Sequence, residues 1–475
     1  MSKKTYITTT LPYVNADPHI GFALEIIQAD IYARFLRSRG DEVFFNFGTD
    51  EHGQKIYEKA KEGGEETQAY VDRYAEKFDA LKKALNLTYN NFIRTTDPHH
   101  LMAAQEFWKK CEANGDIYKK NYKVKYCVGC ETEKTDSDLA DGHCPDHPNR
   151  ELEIREEENY FFRYSKYGQK LVDLYNSNPE FVVPSWRLNE VKKFVESGLE
   201  DFSISRLRTK MPWGIDVPGD PDHVMYVWFD ALVNYISAIG WPDRMEEFNS
   251  WWPVVQFAGK DNLRHQSATW QAMLMSAGVS PSKKIFIHGW VLGGGGQKMS
   301  KSIGNVINPF EMVEKYGTDA LRYFLSREMT PFEDGDFTEA RFKEAFNSGL
   351  ANGIGNTSSR VLKMAESYLP GPVEVGEVEF PAEYSKYVEG LELNKAMDLI
   401  WSKLSEMDLM IQETQPFKLI KTDKEAATKI VTDLVKKLFT ISKMLEPFMP
   451  ETAAKMQEAI MANKLAEPLF MRLEK

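Results

Sequence analysis

Residues 293–305 read GGGGQKMSKSIGN and place Lys298 and Lys301 on either side of Met299 and Ser300. Glycine loosens the backbone and lets it approach a ligand, so this stretch can carry two ammonium groups to an anion such as a phosphate chain. A surface loop with incidental lysines is the competing reading. Cys127, Cys130, Cys144 and His147 form two pairs, Cys-x2-Cys and Cys-x2-His, joined by residues 131–143. Such pairs suit a tetrahedral zinc site with three thiolates and one imidazole; with four protein ligands it folds a segment and leaves no position open for catalysis. His143 competes for the imidazole place, and His147 is preferred because it completes the second pair. His19 and Gly21, in ADPHIGF, stand where a helix begins, and helix N-termini attract phosphate. Asp50, Glu51 and His52, in GTDEHGQK, follow a strand; the carboxylates can hold an ammonium group and the imidazole can meet a phosphate or ribose, with a solvated turn as the plainer alternative. Tyr226, Trp228 and Tyr235, in VMYVWFDALVNYI, read either as core packing or as an apolar wall around a substrate side chain.

The elements that must position these groups alternate. TYITTTLPYVN is a β-rich run that breaks at Pro12 and Asn15. HIGFALEIIQADIYARFLRSRG is a helix with apolar residues at Ile20, Ala23, Leu24, Ile27, Ile31 and Phe35, and Gly40 ends it. EVFFNFGTDEHG, VVQFAGKDN and KIFIHGWVLGG are further strands that run into polar, Gly-containing loops. This pattern predicts a parallel α/β sheet of Rossmann type with its site at the strands' carboxyl ends. A long insertion carries the cysteines and the charged segment REEENYFFR. After about residue 340 the strand signals fade, and three segments, 346–368, 386–412 and 426–448, read as helices of a bundle. The expected domains are residues 1–114 and 216–290 for the two halves of the sheet, 115–215 for the insertion, 291–345 for the lysine loop and its surroundings, and 346–475 for the bundle.

The 475 residues exceed one ordinary core and predict several domains. Hydrophobic residues at 42% and charged residues at 27% fit a water-soluble globular chain. No apolar run approaches the roughly 20 residues that cross a bilayer, and MSKKTYITTT lacks a secretory apolar core, so the cytoplasm and no membrane partner are expected. A net charge of −12 argues against nonspecific binding to a nucleic-acid backbone but leaves room for one specific RNA. In a reducing compartment, thiols clustered between 127 and 144 suggest metal before disulfide, and Cys111 reads as a buried thiol.

Taken together, these pieces resemble the class I aminoacyl-tRNA synthetases, and among them the methionyl-tRNA synthetases, over essentially the whole chain. PYVNADPHIG resembles the first class signature, and KMSKS, 298 to 302, matches the second in all five positions. GTDEHG, SISR, YVWFDAL and AGKDN are similar to methionyl-type blocks in the family's order. The resemblance implies formation of an adenylate from ATP and L-methionine, with Mg2+ accompanying ATP, followed by transfer to tRNA(Met). It implies His19, Lys298 and Lys301 at the phosphates, with Ser300 beside them, and Gly21 and Glu25 at the adenosine. Asp50 takes the methionine ammonium, and Leu11, Tyr13, Trp228, Ala231, Tyr235 and Gln266 line the methionine pocket. Arg206, Lys260 and Asp261 are further members of the site. In the helical region Asn356, Arg360 and Phe417 read the anticodon. Structural Zn2+ sits in the insertion.

The sequence departs from the family pattern at several places. Phe22 stands where the first signature ends in His. Asn262 replaces an Ile, Gln266 replaces the pocket His unless that role shifts to His265, and Gln271 replaces a Pro. Asp408 stands at a common Asn, and Phe417 at a usual Trp. These departures motivate an alternative, a paralogue that binds tRNA or adenylate without aminoacylating. Another amino acid, such as isoleucine, valine, leucine or cysteine, is a third reading. The modest insertion disfavours the branched-chain types, and no module following the bundle is seen, which points to a monomer.

Overall fold

The computed structural model of the chain describes residues 3–130, 132–134, 138–299 and 304–474. The chain divides into two compact units. One comprises Met1–Pro18, Asp41–Ala80 and Tyr89–Ile287; the other comprises His19–Gly40, Leu81–Thr88 and His288–Lys475.

The first unit is built on a six-stranded sheet. Its strands are β1 (Lys4–Thr8), β2 (Glu42–Thr49), β3 (Asn91–Arg94), β4 (Val182–Val183), β5 (Val254–Gly259) and β6 (Lys284–His288), in spatial order β3-β2-β1-β5-β6-β4. β1 pairs parallel with β2 and β5, β2 with β3, and β6 with β4. β5 is buried at every residue, as a strand covered on both faces must be. The strand order reverses between β1 and β5, and ligands of open α/β sheets bind outside the carboxyl ends at such a reversal. β4 falls inside the stretch expected to be insertion. Two residues are too short to leave a periodic signal, so its place at the sheet edge could only come from pairing.

The insertion's body is an antiparallel pair, Ile117–Cys127 with Glu153–Phe162. Lys123 faces Glu156 across this pair, which accounts for the acidic segment: it lies against a lysine-rich strand, and opposite charges directly across a ladder are favourable.

The second unit is helical. It contains α1 (Ile20–Ser38), α2 (Asn356–Tyr368), α3 (Leu393–Thr414), α4 (Lys424–Leu445) and α5 (Pro450–Met461). The segment expected as one helix over 386–412 is two, Ala382–Glu389 and α3. Gly390 ends the first, and Leu391 takes a left-handed φ of 59° that no helix continues through. Arg322 is fully buried and pairs with Asp30 at 2.8 Å while donating to the carbonyls of Leu85, Pro447 and Phe448, tying α1 into this unit. Among the described residues no helix is long and apolar enough to cross a membrane.

Candidate active site and metal centre

The loops after β1 and β2 are stitched together. Tyr13 and Asp50 form a parallel bridge, with Asp50 N–H donating to the Pro12 carbonyl at 3.0 Å and Val14 N–H to the Asp50 carbonyl at 3.1 Å. Asp50 is thereby held at the sheet's carboxyl end, 9% exposed. Its neighbour Glu51 is not a second substrate carboxylate. Glu51 is fully buried and accepts from Arg94 Nε at 2.7 Å, Arg94 Nη2 at 2.9 Å, and the hydroxyls of Thr49 and Thr96. Such a forked pair, with its remaining lone pairs satisfied, is a structural anchor. His52 is also committed within the protein: its Nδ1 lies 3.1 Å from Asp230 Oδ2, which ties the Asp50 loop to the aromatic helix Val227–Ala231. Burial pushes the Asp230 carboxyl up, but His52 and His100 outweigh it and hold it below the ordinary carboxylate range.

On that helix and just beyond it, Ala231 and Tyr235 are buried and Trp228 is half-buried. Trp228 stacks flat on His265, ring centroids 4.0 Å apart at 10°. Gln266, 1% exposed, donates from Nε2 to the Tyr235 hydroxyl at 2.8 Å. The structure therefore divides the two candidates for the missing pocket His: Gln266 meets Tyr235, and His265 packs on Trp228. Leu11 and Tyr13 are half-buried in the loop after β1, while Lys260 and Asp261 form the first turn after β5. Arg206 is buried, donates to the Ser203 hydroxyl and Ser205 carbonyl, and lies over the Tyr226 ring at 4.5 Å.

Burial lowers the His265 imidazole to about 4, with Asp261 opposing the shift, so the ring is neutral at physiological pH. Between that value and the ordinary value of about 6.5 the unfolded chain binds more protons. Stability is then fully present above the unfolded value and lost as pH falls toward 4, by about 3 kcal/mol. A His265→Phe variant, which keeps a ring on Trp228, is expected to flatten the urea-unfolding stability between pH 6.5 and 4.5. An unchanged slope there would assign the acid loss to other groups.

In the second unit His19 caps α1, and its Nδ1 accepts from Gly21 N–H at 3.1 Å. That bond places the neutral ring's proton on Nε2, the tautomer that donates to a phosphate oxygen. Phe22 packs on the His19 ring at 4.2 Å. The residue that replaces the signature's second His thus braces the first. Glu25 is buried against His288, Oε2 to Nε2 2.7 Å, while His288 Nδ1 lies 2.7 Å from the Gly289 carbonyl. Both ring nitrogens lie within hydrogen-bond distance of oxygens, which fixes the ring beside the carboxylate.

The glycine run is an anchored turn. Val291–Gly293 pairs antiparallel with Gln297–Lys298, and Gly295 and Gly296 take φ of 74° and 75°, which favours glycine. Their N–H groups donate to the Asp336 carboxylate at 2.9 and 3.1 Å. Lys298 is exposed, its Nζ 4.5 Å from the Trp290 ring centroid. Ser300 and Lys301 lie outside the described residues. The following segment returns to the helix start of the same unit, where Ile20 N–H donates to the Ile307 carbonyl at 3.0 Å. The segment after the second signature therefore meets the first signature by one backbone hydrogen bond, which no spacing in the sequence reveals.

Asn356 is exposed at the first turn of α2, with Arg360 one turn on. Arg360 pairs with Asp408 at 2.7 Å, and Thr357 holds the other Asp408 oxygen at 2.8 Å. Phe417 is 44% exposed. It sits just after Gln415, whose φ of 44° ends α3.

Cys127, Cys130, Cys144 and His147 converge, their ligand atoms all within 4.8 Å of one another. Cys130 Sγ lies 3.4 Å from Cys144 Sγ and 3.2 Å from His147 Nδ1. Cys127 and Cys144 Sγ lie 3.8 and 4.0 Å from that nitrogen. A tetrahedron with zinc–sulfur bonds of about 2.3 Å has edges of about 3.8 Å, so this donor set fits zinc. At Gly129 a Cβ would lie 2.5 Å from the His147 ring, so only glycine admits the imidazole. His143 is outside the cluster and pairs through its backbone with Ala140. A Cys144→Ser substitution is expected to strip the metal and abolish hydrogen-exchange protection over Ile117–Phe162, because metal affinity in so small a segment is folding energy. Full protection in a metal-free variant would remove the structural role. Cys111 lies apart; burial pushes its thiol up to about 12, leaving it inert.

Comparison with known proteins places this architecture. Residues 5–152 and 148–362 match the family described as tRNA synthetases class I (M), and residues 379–471 match the anticodon binding domain of methionyl tRNA ligase. The chain is 43% identical to the methionine–tRNA ligase of Thermotoga maritima over 95% of this chain and 74% of that one. It is 40% identical to that of Synechocystis over 96% and 89%. Its structure superposes on Mycobacterium tuberculosis methionyl-tRNA synthetase, solved with methionyl-adenylate, with a TM-score of 0.90 at 36% identity, covering 99% of this chain and all of that one. The chain belongs to the methionyl-tRNA synthetases, within class I of the aminoacyl-tRNA synthetases.

Proposed function

We propose that the chain activates L-methionine with ATP and then charges tRNA(Met), with the residues above in the following roles. In the first step a methionine carboxylate oxygen attacks the α-phosphorus, the bond to the β-phosphate oxygen breaks, and pyrophosphate leaves. In the second, a 3′-terminal ribose hydroxyl attacks the activated carbonyl and AMP leaves. Neither step needs a protein nucleophile, so catalysis is positioning and stabilisation of charge. Asp50 takes the ammonium group. Leu11, Tyr13, Trp228, Ala231 and Tyr235 surround the thioether, which offers shape, polarisability and a weak acceptor. His19 Nε2–H, Lys298, Ser300 and Lys301 meet the phosphates, which Mg2+ accompanies, and Gly21 and the braced Glu25 border the adenosine. The cysteine and histidine set holds Zn2+, which fixes the insertion. Asn356, Arg360 and the exposed Phe417 face anticodon bases, the ring by stacking.

The observation that carries the methionine assignment is the bond between His52 and Asp230. It fixes the loop of the ammonium-binding Asp50 to the helix that supplies the aromatic wall. Methionine-dependent ATP–pyrophosphate exchange, run against isoleucine, valine, leucine and cysteine, tests it. Exchange with methionine alone is expected; exchange with another of these and not methionine would overturn the assignment. No feature of the site favours a paralogue that binds without aminoacylating.

A further inference from the structure

Behind Tyr235 lies a buried row of neutral polar side chains. Gln256, Gln266, Gln271 and Ser282 are each 5% exposed or less, inside a unit whose surrounding core is apolar. Side-chain amides are ambiguous in direction unless a neighbour fixes them. Here two backbone groups do so. Ser282 N–H, which can only donate, points at Gln271 Oε1 at 2.9 Å. The other end of that amide, Nε2, therefore donates to the Gln266 carbonyl at 2.8 Å, which can only accept, and to Ser282 Oγ at 3.1 Å. A hydroxyl that accepts from Gln271 has its own proton for Gln256 Oε1, 2.7 Å away. Gln256 Nε2 then donates to Gln266 Oε1 at 2.9 Å, and Gln266 Nε2 donates to Tyr235 Oη at 2.8 Å. With the Ser282 proton used on Gln256, each link runs in one direction, and that direction reaches Tyr235.

We propose that Gln256, Gln271 and Ser282 are positioning residues that, through Gln266, set the polarity of the Tyr235 hydroxyl, making it accept from the relay and donate to an acceptor on the substrate side chain. This rests on the reading of Tyr235 as a wall of the methionine pocket. The acceptor that fits is the thioether sulfur, since it is the only side-chain atom of methionine with a lone pair. The relay then serves to distinguish methionine from norleucine, which has the same length but a methylene in place of sulfur. If Gln266 were turned round, its oxygen would accept the Tyr235 proton and the distinction would be lost.

The test is the ratio of kcat/KM for methionine over norleucine in ATP–pyrophosphate exchange, measured on the full chain. Gln266→Glu offers only acceptors to Gln256 and Tyr235. Ser282→Ala removes the hydroxyl that holds Gln256 in one orientation, and adds no charge should the first variant fail to fold. Both are expected to lower the ratio about three- to tenfold, the worth of one neutral hydrogen bond, mainly through the KM for methionine. Ser282→Thr, which keeps the hydroxyl, is expected to restore it. A role in packing alone would lower the melting temperature and leave the ratio at the parent value, and that result would overturn the proposal. Tyr235→Phe separates the two levels of the argument. If it lowers the ratio while the relay variants do not, the relay does not set the tyrosine's direction. If it changes neither the ratio nor the KM for methionine, Tyr235 is not part of the methionine pocket, and the underlying reading fails.

Discussion

Lys301→Ala slows methionine-dependent ATP–pyrophosphate exchange about 10²- to 10³-fold in kcat, the usual loss when one preorganised charge is removed from a developing anion. The KM for methionine stays within about twofold, because an interaction made only with the phosphates as they separate does not contribute to binding the amino acid. The described residues on either side of this lysine are anchored. The glycine turn that precedes it is clamped by the Asp336 carboxylate on the N–H groups of Gly295 and Gly296. After it, the Asn305 amide lies 3.4 Å from the Lys298 carbonyl, and the Ile307 carbonyl takes the first N–H of α1. Lys298→Ala is expected to lose less, since its Nζ also rests on Trp290. Single-turnover formation of the adenylate at saturating ATP measures the effect directly. A large rise in methionine KM with kcat intact would show that the lysine acts on the amino acid.

The second large effect is expected at Asp50. Asp50→Asn keeps the side chain's shape and the Tyr13 bridge, which uses backbone atoms, but removes the negative charge. Loss of a charge-assisted pair in a site this sheltered typically costs about 2–5 kcal/mol, so the methionine KM should rise at least about 30-fold. Methioninol, which has the ammonium group but no carboxylate, should lose inhibition in parallel. An analogue lacking the amino group should bind parent and variant alike. If methioninol inhibits both equally, the ammonium group is held elsewhere. Glu51→Gln provides the contrast: its carboxylate is fully used by Arg94, Thr49 and Thr96, so the damage should appear as lost stability with little specific change in methionine KM.

The contrast between these two neighbours shows where reading a sequence stops. Asp50 and Glu51 are adjacent acids in one loop, and nothing in GTDEHG says which is engaged inside the protein. Arg94 decides that for Glu51, from a strand 43 residues away in the chain. Gln256, Gln271 and Ser282 carry no motif, and their alignment into one hydrogen-bonded row exists only once β5 and the segments after it are packed. β4 has two residues and no periodicity, and the break at Gly390 and Leu391 lies inside an apolar pattern that otherwise runs on as one helix.

The sequence by itself determined the groups whose chemistry depends on type and short spacing. These are the capping His19 at the start of α1, the two Cys/His pairs, and the alternation of strands and helices that predicts a parallel sheet. Their information is local because a helix start or a metal knuckle is set by neighbours within a few residues. The tertiary structure decided which of the candidate side chains are engaged inside the protein. It turned Glu51 and His52 inward, gave Gln266 rather than His265 to Tyr235, and closed Asp408 onto Arg360. Those choices depend on partners distant in the chain, and a buried polar group takes whichever partner the packing brings within reach, since leaving it unmatched costs more than any local preference can offset.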